Sequence, residues 1–198
     1  MASKAAIAGV KLECVTDYPW DGKATLKVLS SHPSFTTLKV RIPGWAKGRP
    51  VPSDLYVQTV PASVMEVAVK GNGLPVNGVP GKDGYLAIGR EWKAGDEVTL
   101  ELPMPVKRIR AHAKVAADQG RLAVERGPIV YCAEGVDNDG KAFDAELPEN
   151  ATFEDDTIKI GDKSYPALKA SNGLKLIPYC LWGNRSPGNE LQVWMKAN

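Results

Sequence analysis

Apolar and polar residues alternate with a period of two along most of this chain, and the alternating runs are separated by Asx-Gly pairs. Leu26 and Val28 alternate with Thr25 and Lys27, Leu38, Val40 and Ile42 with Lys39 and Arg41, and Val98, Leu100 and Leu102 with Thr99 and Glu101. Each run reads as a strand with one wet face. Further strands are expected at "MEVAVKG", "GYLAIG", "VKRIR", "GRLAVE", "PIVYCAE", "TIKIGD", "LKLIPYCLW" and "ELQVWMK". Asn72-Gly73, Asn77-Gly78, Asp83-Gly84, Asp139-Gly140 and Asn172-Gly173 lie among them and supply the positive φ that tight hairpins need.

Helical periodicity is scarce. "HAKVAADQG" has room for a turn or two, and Gly95 weakens "EWKAGDE" as a helix by about 1 kcal/mol. Many short strands with few helices predict an all-β chain. Pro103 and Pro105 flank Met104 where the long alternation stops, and proline cannot donate to a sheet ladder. A junction at Met104 is therefore expected, giving two tandem antiparallel β-sandwich domains, residues 10–103 and 104–198. No internal repeat at a fixed period is visible, so the two sandwiches are expected to differ.

Composition narrows the function classes. Hydrophobic residues make up 43% and charged residues 24% of the 198, near the averages of a folded globular protein. The net charge is +2 and the Lys and Arg residues are scattered, which predicts no nucleic-acid partner. The densest basic run, Val106 to Arg110, reads as an exposed strand face. No apolar run reaches the roughly 18 residues of a membrane helix, and the opening "MASKAAIAGV" is too weak for a secretory signal, so no membrane partner is expected and the chain carries no address of its own.

Candidate chemistry is thin. Cys14, Cys132 and Cys180 lie far apart with no metal-binding spacing, and are expected as buried small apolar side chains; no metal and no cofactor are expected. Only His32 and His112 are available as imidazole bases, and neither stands in a nucleophile-elbow context. Glu125 and Glu134 invite comparison with the paired carboxylates of glycoside hydrolysis, but Gly127-Pro128 interrupts the chain between them. Asp137-Asn138-Asp139 and Asp155-Asp156 read as turn residues, and "DNDG" lacks the terminal Glu of a calcium loop.

Catalytic residues are accordingly expected to be absent. Glu125, Arg126, Cys132 and Glu134 read as parts of strands, with Arg126 expected to pair with a carboxylate. Of five tryptophans, most are expected in cores and seams. Trp182, with Asn184 and Arg185 beside it in "LWGNRSPGNE", is the one group that suits sugar binding.

Taken in order, "TDYPWDGKATLKV", "LKVRIPGWAKGRPVPSDLY", "GYLAIGREWKAGDEVTLELPMPVKRIRAH", "DQGRLAVERGPIVYCAEGVDN" and "LKLIPYCLWGNRSPGNELQVW" resemble the C-terminal part of glycoside hydrolase family 127. The resemblance runs from Val10 onward, and β-L-arabinofuranosidase is the family's best-known activity. It implies a parent enzyme with an upstream (α/α)6 catalytic barrel that holds a nucleophilic cysteine, its zinc, and the glutamates and histidines around it. None of those positions maps onto this sequence. The chain is then expected to be a non-catalytic accessory region whose partner is that barrel, in a bacterial parent working in the periplasm or outside the cell.

A carbohydrate-binding module recognising plant-type glycans is the alternative reading. Homodimer formation through an exposed seam and a small self-contained enzyme complete the set of expectations.

Overall fold

The computed structural model describes residues 2–7, 9–31, 35–59, 66–186 and 188–198. His32 and the start of the "MEVAVKG" run lie outside the described residues.

The chain is all-β. In chain order the strands are β1 (Ala2–Ile7), β2 (Val10–Thr16), β3 (Lys23–Ser30), β4 (Phe35–Arg41), β5 (Tyr56–Gln58), β6 (Ala68–Gly71), β7 (Leu74–Pro75), β8 (Tyr85–Glu91) and β9 (Glu97–Glu101). They continue as β10 (Val106–Ala111), β11 (Arg121–Arg126), β12 (Ile129–Glu134), β13 (Glu146–Leu147), β14 (Phe153–Ile160), β15 (Lys163–Ala170), β16 (Lys175–Pro178), β17 (Leu191–Gln192) and β18 (Met195–Ala197). Helical structure among the described residues is confined to short 3-10 turns such as Gly44–Lys47 and Ala116–Asp118. The strands divide between two compact units, Met1–Gly48 with Ala62–Met104, and Arg49–Pro61 with Pro105–Asn198.

In the first unit a six-stranded sheet runs β1-β2-β3-β9-β6-β7, and β4 pairs with β8 in a sheet of their own. Leu38, Val40 and Leu86 from the small sheet share one buried cluster with Leu12, Val28, Val69, Val98 and Leu100 from the large one, so the two sheets face each other across the core. The alternation seen in sequence is what builds this layer: inward residues of β4 and β9 are buried and their neighbours are wet. Trp92 fills the core at 2% exposure, and its indole N–H donates to the Thr36 carbonyl at 2.9 Å. Asn72 and Gly73 both take positive φ and close the β6-β7 hairpin.

The second unit holds one large sheet in the order β13-β18-β11-β12-β16-β15-β14, with β10 on β11, β17 on β12 and β5 on β10. Residues 49–61 join this unit because β5 hydrogen-bonds to β10, pairing Ile109 with Gln58 and Ala111 with Tyr56. Tyr56 also stacks on Trp194 with ring centroids 5.5 Å apart. All strand pairs are antiparallel except the short β13-β18 pair.

This sheet is buried on both faces over its middle strands. Leu168, Ala170 and Leu176 belong to one cluster with Leu122, Val124, Tyr131 and Met195, while Ala167 and Ile177 belong to another with Cys132 and Ile158. The sheet also folds over on itself, because Arg108 of β10 lies 5.3 Å from the Phe153 ring of β14.

Several local expectations change. "LKLIPYCLW" stops as a strand at Pro178 and continues as a 3-10 turn, Tyr179–Leu181. "ELQVWMK" divides into β17 and β18. Asp155 and Asp156 are not turn residues but sit within β14, opposite Leu168 and Ala167; adjacent carboxylates fit there because Asp155 faces solvent and Asp156 pairs with Lys175 at 3.1 Å. "VKRIR" is a strand, yet its Lys107 face is buried rather than exposed, because Lys107 finds Glu125 directly opposite it on β11.

Candidate functional site

Glu134 ends β12 fully buried. A buried carboxylate needs partners, since an uncompensated charge away from water costs several kcal/mol (roughly). Here the partners come from the loop after β16: the Gly183 N–H donates to Glu134 Oε1 at 2.9 Å, and the Arg185 guanidinium pairs with Glu134 Oε2. The same guanidinium holds Asp137, with Nη1 donating to Oδ1 at 2.8 Å. These bonds, Asp137 first, hold the Arg185 pKa above the ordinary arginine value.

Other bonds fix the two loops that meet at this end of the unit. Asn138 donates to the Glu134 and Lys175 carbonyls at 2.8 and 3.0 Å and accepts from the Lys175 N–H at 2.9 Å. The Glu190 carboxylate accepts from the Ala142 and Phe143 N–H groups at 2.7 and 3.0 Å. Those two backbone donors hold Glu190 below the usual carboxylate range.

The three residues singled out for sugar binding fall on this loop with different surroundings. Arg185 is engaged by Glu134 and Asp137, and Asn184 turns its amide N–H groups onto the Leu181 and Trp182 carbonyls at 3.0 and 3.4 Å. Trp182 keeps 40% of its surface exposed and caps the 3-10 turn that begins with the exposed Tyr179. Sequence reasoning placed Arg185 at the surface because its partner carboxylates lie about fifty residues away in sequence.

The remaining titratable groups sit in structural settings. Arg126 pairs with Asp155 at 2.5 Å. Cys132 is buried, and burial pushes its thiol up to about 12, which leaves no thiolate to act as a nucleophile near neutral pH. All three cysteines are free, and of the three expected to be buried only Cys132 is: Cys14 is half-buried in β2, and Cys180 is exposed because it falls on the 3-10 turn and not on a strand. His112 accepts from the Lys114 N–H at 3.1 Å within its own turn. Among the described residues no three His, Cys, Asp or Glu side chains are grouped to hold a metal.

A second buried charge pair, Lys107 and Glu125, lies on neighbouring strands β10 and β11. Burial raises Glu125 to about 7, against the opposing pull of the Lys107 charge. It was not visible in sequence, where Lys107 shares a face with Ile109 in a run whose apolar residues fall on both faces.

The comparisons agree with the geometry. Residues 1–104 match the family description "Beta-L-arabinofuranosidase, GH127 middle domain", and residues 106–196 match "Glycoside hydrolase family 127 C-terminal domain". A non-reducing end beta-L-arabinofuranosidase of Bifidobacterium longum subsp. longum is 32% identical over 96% of the chain. A solved GH127 beta-arabinofuranosidase superposes with a TM-score of 0.86 at 33% identity over the whole chain. The GH127 beta-L-arabinofuranosidase of Geobacillus stearothermophilus T6 superposes at 0.78 with 32% identity, again over the whole chain.

The chain spans 30% of the length of the Bifidobacterium relative and 33% and 32% of the two structures. It corresponds to their middle and C-terminal parts, the non-catalytic accessory portion. The chain belongs to glycoside hydrolase family 127.

Proposed function

We propose that the chain supplies two accessory β-sandwich domains, 10–103 and 104–198 in sequence with residues 49–61 lent to the second unit, to a β-L-arabinofuranosidase-like glycosidase, packing against an upstream (α/α)6 barrel that carries the chemistry. The carrying observation is the match of the family's middle and C-terminal domain descriptions, one after the other, across residues 1–104 and 106–196. The internal locking of Glu134, Arg185 and Asp137 supports it, because these groups spend their charge on holding loops. Within one chain such domain contacts typically bury roughly 600 to 1,500 Å².

The test is a longer protein that carries the barrel, compared with the same protein lacking these 198 residues. Hydrolysis of an aryl β-L-arabinofuranoside by the longer protein, with loss of barrel stability on deletion, is the expected result. A barrel equally stable and active without them would reject the accessory role.

Carbohydrate binding is the second reading, favoured by the exposed Trp182 and Tyr179 on one turn. Aromatic faces of this kind suit sugar rings, with Asn184 and Arg185 acting by shaping the loop beneath. Tryptophan fluorescence during titration with arabinan oligosaccharides, in wild type and Trp182→Phe, separates the readings; an unchanged signal at millimolar sugar removes this one.

A further inference from the structure

Arg108 is a partly buried arginine with no carboxylate partner among the described residues. Its guanidinium hydrogen-bonds the Ala151 carbonyl through Nη2 and lies over the Phe153 ring, while its Nε is buried with no hydrogen-bond partner among the described residues. Buried guanidinium groups are ordinarily matched by an anion, because a desolvated charge facing only dipoles is costly. Burial is also what pulls the Arg108 pKa below the usual arginine value.

The same arginine lines a small polar cleft of the second unit. With Thr59, Arg110, Leu122 and Glu149 it encloses about 220 Å³, below the roughly 300 to 1,000 Å³ of a cleft for a drug-sized ligand. Arg110 is already neutralised by Glu149 at 2.6 Å. The lining therefore carries one uncompensated positive charge, that of Arg108. Thr59 lines the cleft too, and its hydroxyl donates to the Arg108 carbonyl at 3.1 Å, which leaves the hydroxyl oxygen able to accept.

From this arrangement we infer that the cleft is a binding site for a small monocarboxylate, held by Arg108 with Thr59 beside it. One charge calls for a singly charged ligand, and a planar carboxylate suits the fork of guanidinium N–H groups. The limited volume admits a ligand the size of a single sugar acid rather than a glycan chain. This site is separate from the Trp182 loop and does not depend on the accessory role proposed above.

The test uses the ¹⁵N-labelled chain and follows the Arg108 Nε–H resonance by NMR while sodium acetate, sodium D-glucuronate or sodium phosphate is added at constant ionic strength. Saturable shifts of that resonance with acetate and glucuronate are expected, with weaker binding of phosphate dianion. Arg108→Gln, followed through the backbone amide resonances of Thr59 and Leu122 that line the same cleft, should weaken carboxylate binding by at least about tenfold. Should that variant fail to fold, Glu149→Gln provides the second measurement: it frees the Arg110 charge, so carboxylate should bind several-fold tighter. No saturable shift of Arg108, tighter binding of phosphate than of either carboxylate, or affinity indifferent to Glu149→Gln would each overturn the assignment.

Discussion

Lys107 of β10 and Glu125 of β11 stand directly opposite each other in the antiparallel register, and both are buried. Opposite charges so placed attract through a low-dielectric setting but lose the hydration of two charges, so the net worth of their pairing is small while each member depends on the other. This asymmetry sets two predictions.

Removing one partner should cost more than removing both. Lys107→Met alone leaves Glu125 buried without its cation and is expected to lose about 3 to 5 kcal/mol. The double variant Lys107→Met/Glu125→Leu should recover most of that loss. Urea unfolding of the two single variants, the double variant and wild type gives the coupling directly, and additive losses would show that the pair does not interact.

The pair also predicts a pH dependence with a definite sign. Glu125 is raised from 4.5 in the unfolded chain to about 7 by burial, so the folded state holds its proton more tightly. The stability linked to this group is fully present below about pH 4.5 and is lost as pH rises through about 7. Lys107, lowered by burial, acts in the opposite sense at higher pH, where stability returns as the amine sheds its proton. Glu125→Gln should flatten the decline between pH 4.5 and about 7; an unchanged pH profile in that variant would assign the decline to another group.

Arg185 should behave as a structural anchor. Arg185→Met leaves the buried Glu134 with the Gly183 N–H as its one remaining donor among the described residues, and about 3 kcal/mol of stability should be lost, with faster amide exchange in residues 182–186. Were Arg185 a ligand-facing group instead, stability and exchange would be unaltered.

Gly22 is required by a close approach. A Cβ there would stand 1.9 Å from the Leu102 carbonyl oxygen, which is part of the chain that bonds back to Gly22, the Leu102 N–H donating to the Gly22 carbonyl at 2.9 Å. Gly22→Ala is expected to destabilise by about 2 kcal/mol or more, read as a fall in Tm. Gly95, with nothing within 4 Å of its would-be Cβ but a φ of 92°, should lose less on the same substitution.

How much of this was legible in the sequence follows from what alternation can encode. β3, β4, β9, β11 and β12 sit where apolar residues recur every second position, because each has a wet face and a dry one. β15 carries Pro166 and β14 carries Asp155 and Asp156, so the pattern there was broken although the hairpin between them is the longest in the chain. Lys107 was misread for another reason: Val106 and Ile109 fall on opposite faces of the run, so the pattern does not say which face is dry, and only the register with Glu125 shows that the face of Lys107 and Ile109 is buried. The pairing of Arg126 with a carboxylate was legible as a need, since a half-buried guanidinium seeks one, but Asp155 as its partner was not. Arg185 and its two carboxylates lie at opposite ends of a long stretch of chain, and no local pattern reports such a contact.

The accessory role is tested most directly by asking whether this chain catalyses anything. Purified to homogeneity and incubated with an aryl β-L-arabinofuranoside beside a barrel-bearing relative as positive control, the 198-residue chain should release no aryl alcohol above the uncatalysed rate. Turnover that follows the chain through purification and disappears on substitution of its own carboxylates would contradict the account.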